Sequence, residues 1–200
     1  MASKQVFLAS DSPRRKKLLA HILGKKFKTI KHLHNEDIKI SGPIRHVKAN
    51  AYGKALEGSS RIRRGIVIGA DTIVVCRGKI LGKPGTKKKA VNMLRYISGR
   101  TVDVITGISV IDLDTSRTMT SAVRTKLKIR KLSRDEINRY VGTGEPLDKA
   151  GGFGIQGKGR FIVEKIKGDY FNVVGLPLKE LSSMLKKFNV RLVPMPMETK

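Results

Sequence analysis

The chain is 200 residues long, 40% apolar, and carries one cysteine; that length builds one large domain or two small ones with a full core, and a lone Cys76 excludes an internal disulfide and suits a reducing compartment. Lys and Arg number 42 against 16 Asp and Glu, a net charge of +26, which implies anionic company such as nucleotides, nucleic acid or phosphate-rich surfaces. No apolar run is long enough to cross a bilayer, and Pro13-Arg14-Arg15 interrupts any signal-peptide pattern early, so a cytoplasmic location and no membrane partner are expected.

In chain order, Val6-Phe7-Leu8-Ala9 reads as a buried strand. Ser12 is a good N-cap and Pro13 suits the first helical position, so a helix is expected over residues 13 to 23, closed by Gly24. Arg14 and Arg15 fall in its first turn, where the macrodipole is already positive. With the backbone N–H groups and the Ser10 and Ser12 hydroxyls they suit a phosphate; the plainer alternative is that both arginines point into water. Phe27 to Ile30 reads as a second strand, and His32-Leu33-His34-Asn35-Glu36-Asp37 as a polar loop. A helix is expected from about Arg45 to Leu56, preceded by Pro43 and ended by Gly58. Val47, Ala51 and Ala55 share one of its faces. Lys54 lies on that same face, where a cation either snorkels to water or meets an anion.

Gly65 to Ala70 is a continuous apolar run, the mark of a strand buried on both faces. It leads into Asp71-Thr72 and then Ile73-Val74-Val75. A carboxylate in such a run is costly unless paired, hydrogen-bonded or metal-bound. Asp71 is therefore a functional candidate, with a turn cap or a buried network as the structural alternative. Arg77-Gly78-Lys79 reads as a hairpin turn to Ile80-Leu81, followed by Gly82-Lys83-Pro84-Gly85 and a helix from Thr86 to Ile97. Thr101 to Leu113 and Met119 to Leu132 should pair as an antiparallel hairpin across Asp114-Thr115-Ser116. Ser133 to Glu136 is a capping box opening a short helix through Tyr140. Gly142 to Gly159 reads as a glycine-rich loop, Phe161 to Val163 as a strand, Leu178 to Lys187 as the final helix and Val190 to Val193 as a last strand. Early alternation of strands and helices around a long central hairpin implies an α/β fold with a mixed sheet.

Gly152-Phe153-Gly154-Ile155-Gln156-Gly157 matches a dinucleotide fingerprint by letter, but it follows a loop and opens a strand, the wrong context. Gly152 to Lys158 resembles a P-loop, yet Gly159 stands where a magnesium-binding Ser or Thr belongs. Four histidines and one cysteine form no zinc pattern, and His32 and His34 read as loop residues. Lys25-Lys26, Arg61 with Arg63-Arg64, Lys87-Lys88-Lys89 and Lys186-Lys187 read mostly as solvated surface. An aromatic content of 5% weakens a base-stacking nucleic-acid reading.

Taken together, Ala9-Ser10-Asp11-Ser12-Pro13-Arg14-Arg15, Lys54-Ala55, Gly69-Ala70-Asp71-Thr72, Leu81-Gly82-Lys83-Pro84, Ile105-Thr106-Gly107, Asp148-Lys149-Ala150-Gly151-Gly152 with Gly157, and Gly168-Asp169 with Val173 to Pro177 resemble the Maf family of nucleoside triphosphate pyrophosphatases, in order and over nearly the whole chain. The resemblance implies an α/β fold with an elongated mixed β-sheet flanked by helices and a deep cleft, similar to the inosine triphosphate pyrophosphatases. It implies one nucleoside triphosphate pyrophosphatase domain over residues 1–200, two lobes around that cleft, and a homodimer. It further implies hydrolysis of the α–β phosphoanhydride of a nucleoside triphosphate to the monophosphate and pyrophosphate, with a divalent cation, Mg²⁺ or Mn²⁺. Residue by residue, Asp71 is implied as proton acceptor. Ser10, Arg14, Arg15, Lys54 and Lys83 would hold the triphosphate. Glu36 would join Asp71 at the metal, with Asp37 as the alternative carboxylate. Arg14, Thr72 and Gln156 are similar to the subfamily acting on dTTP and UTP; the subfamily acting on methylated GTP usually has another residue, often Gln, at the position of Thr72.

The chemistry is coherent without the family. Arg14, Arg15, Lys54 and Lys83 bring cations to a ligand of about four negative charges. Asp71 and Glu36 suit Mg²⁺, which prefers oxygen ligands and lowers the pKa of bound water. A hydroxyl at Thr72 and an amide at Gln156 can read a pyrimidine edge. The competing reading is a non-catalytic nucleic-acid- or nucleotide-binding protein acting through its basic surface, including a regulator of cell division.

Overall fold

The computed structural model describes residues 4–34 and 42–193. Its strands form a seven-stranded sheet in the order β2-β1-β3-β5-β6-β7, with β4 paired to β3. The strands are β1 (Val6–Ala9), β2 (Phe27–Ile30), β3 (Ile66–Cys76), β4 (Lys79–Leu81), β5 (Thr101–Asp112), β6 (Arg117–Ile129) and β7 (Val163–Lys167); the helices are α1 (Pro13–Leu23), α2 (Pro43–Ser59), α3 (Lys87–Ile97), α4 (Arg134–Gly142), α5 (Tyr170–Val174) and α6 (Leu178–Lys187). The expected mixed α/β class is what forms. The chain divides into two compact units: residues up to Asp71 with Thr106–Val123 and everything from Gly175, and a second made of Thr72–Ile105 with Arg124–Val174.

In the first unit, β1 runs parallel to β2 and to β3, with Val6 opposite Phe27 and Ile66, and Ala9 opposite Ile30 and Gly69. Parallel neighbours need crossover helices, and α1 and α2 supply them. Ser12 Oγ accepts from Arg15 N–H at 3.4 Å, Pro13 opens α1, and Gly24 at φ 60° ends it. Helix α2 lies with its backbone against the sheet. A Cβ at Gly69 would come 2.1 Å from the Ala51 carbonyl oxygen, and one at Gly107 would come 2.2 Å from that of Val47. Gly69→Ala is therefore expected to lower stability by about 2–3 kcal/mol, the upper range for overpacking, read as a shifted urea midpoint; an unchanged midpoint refutes the close approach.

Helix α2 is longer than the expected 45–56 and Gly58 does not end it. Gly58 serves packing instead, because a Cβ there would sit 2.9 Å from Ile30 Cδ1 and 3.0 Å from Ala9 Cβ. Val190 to Val193 form no strand. Val193 N–H donates to Ile22 O at 2.9 Å, a single bond rather than a ladder, so β-branched composition alone did not suffice there.

In the second unit, β3 turns into β4 at Arg77 (φ 48°) and Gly78 (φ 76°), the positive-φ pair that a two-residue hairpin turn requires. Val74 then faces Leu81 and Cys76 faces Lys79. Helices α3 and α4 cover this end of the sheet through Leu94, Ile97, Ile137 and Tyr140, packed with Val74, Val104, Leu127 and Ile129. The capping box at Ser133 and Glu136 forms as expected. The stretch expected as an open glycine loop is instead three short 3-10 turns, Glu145–Asp148, Ala150–Gly152 and Lys158–Ile162, and the strand expected at 161–163 starts only at Val163. The fully buried Asn172 gives its amide to Val104 O at 3.1 Å and Thr125 Oγ1 at 3.0 Å, pinning α5 onto the sheet.

Candidate active site

Asp71 sits inside β3, 5% exposed, and Lys54 on α2 is 2% exposed. Lys54 Nζ donates to Asp71 Oδ1 at 2.7 Å and Asn50 Nδ2 donates to Asp71 Oδ2 at 3.3 Å. Of the two fates open to Lys54 on its apolar stripe, it meets an anion. The approach is made possible by Gly69, two residues earlier on the same face of β3, where the missing side chain lets α2 descend. Burial pushes the Asp71 carboxyl upward, but the Lys54 ammonium, its hydrogen bond, the Arg15 charge and the Asn50 amide together hold it below the ordinary value of 3.8. The group is thus ionised in the fold at neutral pH.

That shift has a sign. A carboxyl with a depressed folded value contributes stability that is present above its unfolded value and lost as pH falls through the folded one. Acid titration of the melting temperature should show the Asp71 contribution intact above pH about 4 and disappearing below it. An Asp71→Asn variant with the same acid-limb slope as the parent would contradict the assignment.

Asn50 extends the cluster. Its Oδ1 lies 3.3 Å from His34 Nε2, and its Nδ2 lies 3.1 Å from His46 Nε2. The Asn50 amide thus bridges the Asp71 carboxylate and the two imidazole rings. The position facing the His34 ring is again a glycine: a Cβ at Gly53 would fall 2.2 Å from that ring. Reading His34 as a loop residue missed this role. The signal was present in part, since His46, Asn50 and Lys54 recur at i, i+4 and i+8 on one helix face.

The α1 entrance stands beside this cluster. Ser10 is buried, and its Oγ accepts from Ser12 N–H at 3.3 Å and faces Arg15 Nη1 at 3.5 Å. Arg15 also donates from Nη1 to Ala70 O at 2.9 Å and from Nε to Gly175 O at 2.8 Å. Its guanidinium therefore clamps α1 to the residue before Asp71. Arg14 is half-buried in the first turn of α1, and that turn contains no acidic residue of its own.

In the second unit, Lys83 is exposed on the segment after β4, and Gln156 is exposed on the loop between the second and third 3-10 turns. The two segments are tied to one framework: Gly151 N–H donates to Gly82 O at 3.1 Å, and Gly85 N–H donates to Leu147 O at 3.0 Å. Glu145 holds the far side of the Gln156 loop. Its carboxylate accepts from Tyr140 OH at 2.9 Å, Lys158 N–H at 2.9 Å and Gly159 N–H at 3.1 Å. A Cβ at Gly157 would strike that carboxylate at 2.5 Å and one at Gly159 would strike the Tyr140 hydroxyl at 2.3 Å. Of the glycines that mimic a nucleotide fingerprint, Gly154 and Gly157 let the backbone wrap the Glu145 carboxylate.

A family model described as Maf-like protein matches residues 5–188. The chain belongs to the Maf family. It is 45% identical to a protein of Dictyoglomus thermophilum called dTTP/UTP pyrophosphatase, over 95% of this chain and 99% of that one. Proteins of the same name from Methanococcoides burtonii (43%, covering 94% and 97%) and Moorella thermoacetica (44%, covering 93% and 96%) are also similar. A crystal structure of a nucleoside-triphosphatase, dITP/XTP pyrophosphatase, from Mycobacterium abscessus has a TM-score of 0.44 at 13% identity, covering 92% of this chain and 94% of that one.

In this Maf chain, the residues expected at the site fall as follows. Lys54 and Asp71 touch, and Ser10, Arg15 and the carbonyl of Ala70 form one hydrogen-bonded group. Thr72 follows Asp71 on β3 and is directed to the other face by strand alternation. Lys83 and Gln156 belong to the second unit. Glu36 and its alternative Asp37 lie outside the described residues. Among the described residues no group of three or more His, Cys, Asp or Glu is placed to hold a metal. Of the carboxylates expected at a metal, Asp71 is the one among the described residues, and its two oxygens accept from Lys54 and Asn50. No helix of the described chain is long and apolar enough to cross a membrane.

Proposed function

We propose that this Maf protein is a nucleoside triphosphate pyrophosphatase acting on dTTP and UTP, and that Asp71 is its proton acceptor. The observation that carries the reading is the buried, ionised Asp71 beside Lys54 at 2.7 Å, in a chain similar end to end to proteins called dTTP/UTP pyrophosphatase. Water loses a proton to Asp71 as its oxygen bonds to phosphorus; the P–O bond of the α–β bridge breaks and pyrophosphate departs with that electron pair, leaving the monophosphate. Arg14 and Lys83, with Ser10, Arg15 and Lys54, neutralise the triphosphate, and the clamp on Arg15 holds its charge without reorganisation during the reaction. A divalent cation, Mg²⁺ or Mn²⁺, held by Asp71 with Glu36, would add charge neutralisation and acidify water. The family resemblance supports a homodimer, and the lone Cys76 supports a reducing, cytoplasmic compartment.

The decisive experiment incubates the protein with a panel of nucleoside triphosphates and Mg²⁺ or Mn²⁺, and separates the products. Monophosphate plus pyrophosphate, fastest from dTTP and UTP, is the expected result; diphosphate plus orthophosphate, or no turnover, overturns the reading. Arg14, Thr72 and Gln156 set the base preference in this proposal. The Thr72→Ala, Gln156→Ala double variant should lose about tenfold or more of the kcat/KM ratio of dTTP over GTP, the size expected when hydrogen bonds to a base edge are removed. An unchanged ranking of bases refutes their role.

A further inference from the structure

The charge of +26 exceeds what a nucleotide site needs, and part of it lines one pair of strands. Along β6, Thr125, Leu127 and Ile129 are buried while Arg124, Lys126 and Lys128 are exposed, with Arg130 next in the same alternation. Alternate residues on a strand stand about 7 Å apart on one face. Across the ladder, β7 opposes Lys126 with Lys167 and Lys128 with Lys165, and both are exposed. Like charges directly opposed across antiparallel strands destabilise a sheet. Arg124 reaches Asp103 only at 3.8 Å, Lys128 is bonded to Gly99 O at 3.0 Å, and among the described residues Lys126, Lys165 and Lys167 form no ion pair.

The row ends at an aromatic. The Arg130 guanidinium lies over the Phe161 ring at 4.9 Å, and its Nε donates to Phe161 O at 2.7 Å. Phe161 is 39% exposed, unusual for a phenylalanine in a chain this poor in aromatics. It borders a pocket of about 290 Å³ lined also by Tyr140, Thr143, Arg139, Lys158 and Glu136. Glu136, the acidic lining residue, is neutralised by Arg130 at 2.6 Å, so the pocket too favours an anionic visitor.

We propose that this face of β6 and β7 binds a single strand of nucleic acid, its phosphates on Arg124, Lys126, Lys128, Lys165 and Lys167 and a base against Phe161. A cationic track leading to an exposed ring is the combination that single strands require, since unstacked bases can lie on a π-face. A duplex keeps its bases stacked and has nothing to offer Phe161. An anionic membrane would use the charge but not the exposed ring that Arg130 meets at the end of the row. The inference stands apart from the pyrophosphatase reading and does not rest on it.

The test is fluorescence anisotropy of the full chain with a labelled, mixed-sequence single strand of about 20 nucleotides across a salt series. Changing Lys126, Lys128, Lys165 and Lys167 together to Gln should flatten the slope of log K against log salt by about 3, at about 0.7 per single-strand phosphate contact. Phe161→Ala should weaken binding about tenfold without changing that slope. Changing the exposed Lys25, Lys26, Lys28 and Lys31 to Gln removes equal charge elsewhere and should leave most of the affinity. The face variant should retain nucleotide turnover and melt no lower than the parent, because opposed like charges have been removed. Should it fail to fold, the pairs Lys126 with Lys167 and Lys128 with Lys165, changed separately, should each flatten the slope by about half as much. The proposal is overturned if both lysine sets matter equally, if a duplex or phosphatidylglycerol vesicles bind as tightly as the single strand, or if no saturable binding appears at low salt.

Discussion

Asp71→Asn should lower the rate of pyrophosphate release by about 10³-fold or more, within the range lost with a general base, while leaving the KM for dTTP within a few fold. Asn matches the shape of Asp and keeps an acceptor for Lys54, so the backbone of β3 has no reason to move. It cannot take a proton from water, and it removes the charge that Lys54 faces at 2.7 Å. Lys54 is 2% exposed, and a buried ion stripped of its partner typically costs about 3–5 kcal/mol. The acceptor that Asn retains puts this variant near the lower figure, a fall in melting temperature of about 6–12 °C for a chain of this size. Undiminished turnover in a folded variant would remove Asp71 from the chemistry.

Lys54→Met carries the complementary expectation. The replacement fills similar volume, so the change is one of charge, and Asp71 is left ionised, buried and unpaired. A loss of about 3–5 kcal/mol near neutral pH should follow, with a kcat/KM fall of about 10²–10³-fold from losing a preorganised charge at the triphosphate. The pH dependence separates this from simple misfolding. The parent loses the Asp71 contribution as pH drops, because Lys54 holds that carboxyl below 3.8. In the variant only the Arg15 charge and the Asn50 amide oppose burial, so the folded value moves up and less stability is lost on acidification. The stability gap between parent and variant should therefore narrow as the solution is acidified; a gap independent of pH would show that the pair is not what stabilises this region. Adding Asp71→Asn to Lys54→Met should cost less than the sum of the two, since the second change removes a charge the first one stranded.

Several of these features were legible in the residues before any fold was known. Ser12-Pro13, the Ser133–Glu136 box and the Arg77-Gly78 turn act within a few residues of themselves, so their capping and turn chemistry reads directly from the letters. The same holds for the start of β3, where the apolar run Gly65 to Ala70 reads as a strand buried on both faces. Its lone carboxylate announced a need for a partner, whereas Lys54 on the apolar stripe of α2 left open whether it reached water or an anion. Composition misled in two places: Gly58 looked like a helix end, yet α2 runs to Ser59 and the missing side chain makes room for Ile30 and Ala9. Val190 to Val193 look like a strand, but among the described residues no strand pairs with them.

Local chemistry thus determined where helices begin, where the first hairpin turns and which residues carry charge into the core. Tertiary structure decided which of those charges meet. Lys54 and Asp71 are 17 residues apart in sequence, and their contact exists because Gly69 and Gly107 admit the backbone of α2 onto the sheet. Asn50 joins them only through that same descent, and Glu145 gathers the Gln156 loop from a separate turn. The facing lysines of β6 and β7 depend on strand register, to which neither strand's own alternation gives access. Contacts of this kind arise from how a whole chain closes on itself, so no window of neighbouring residues contains them.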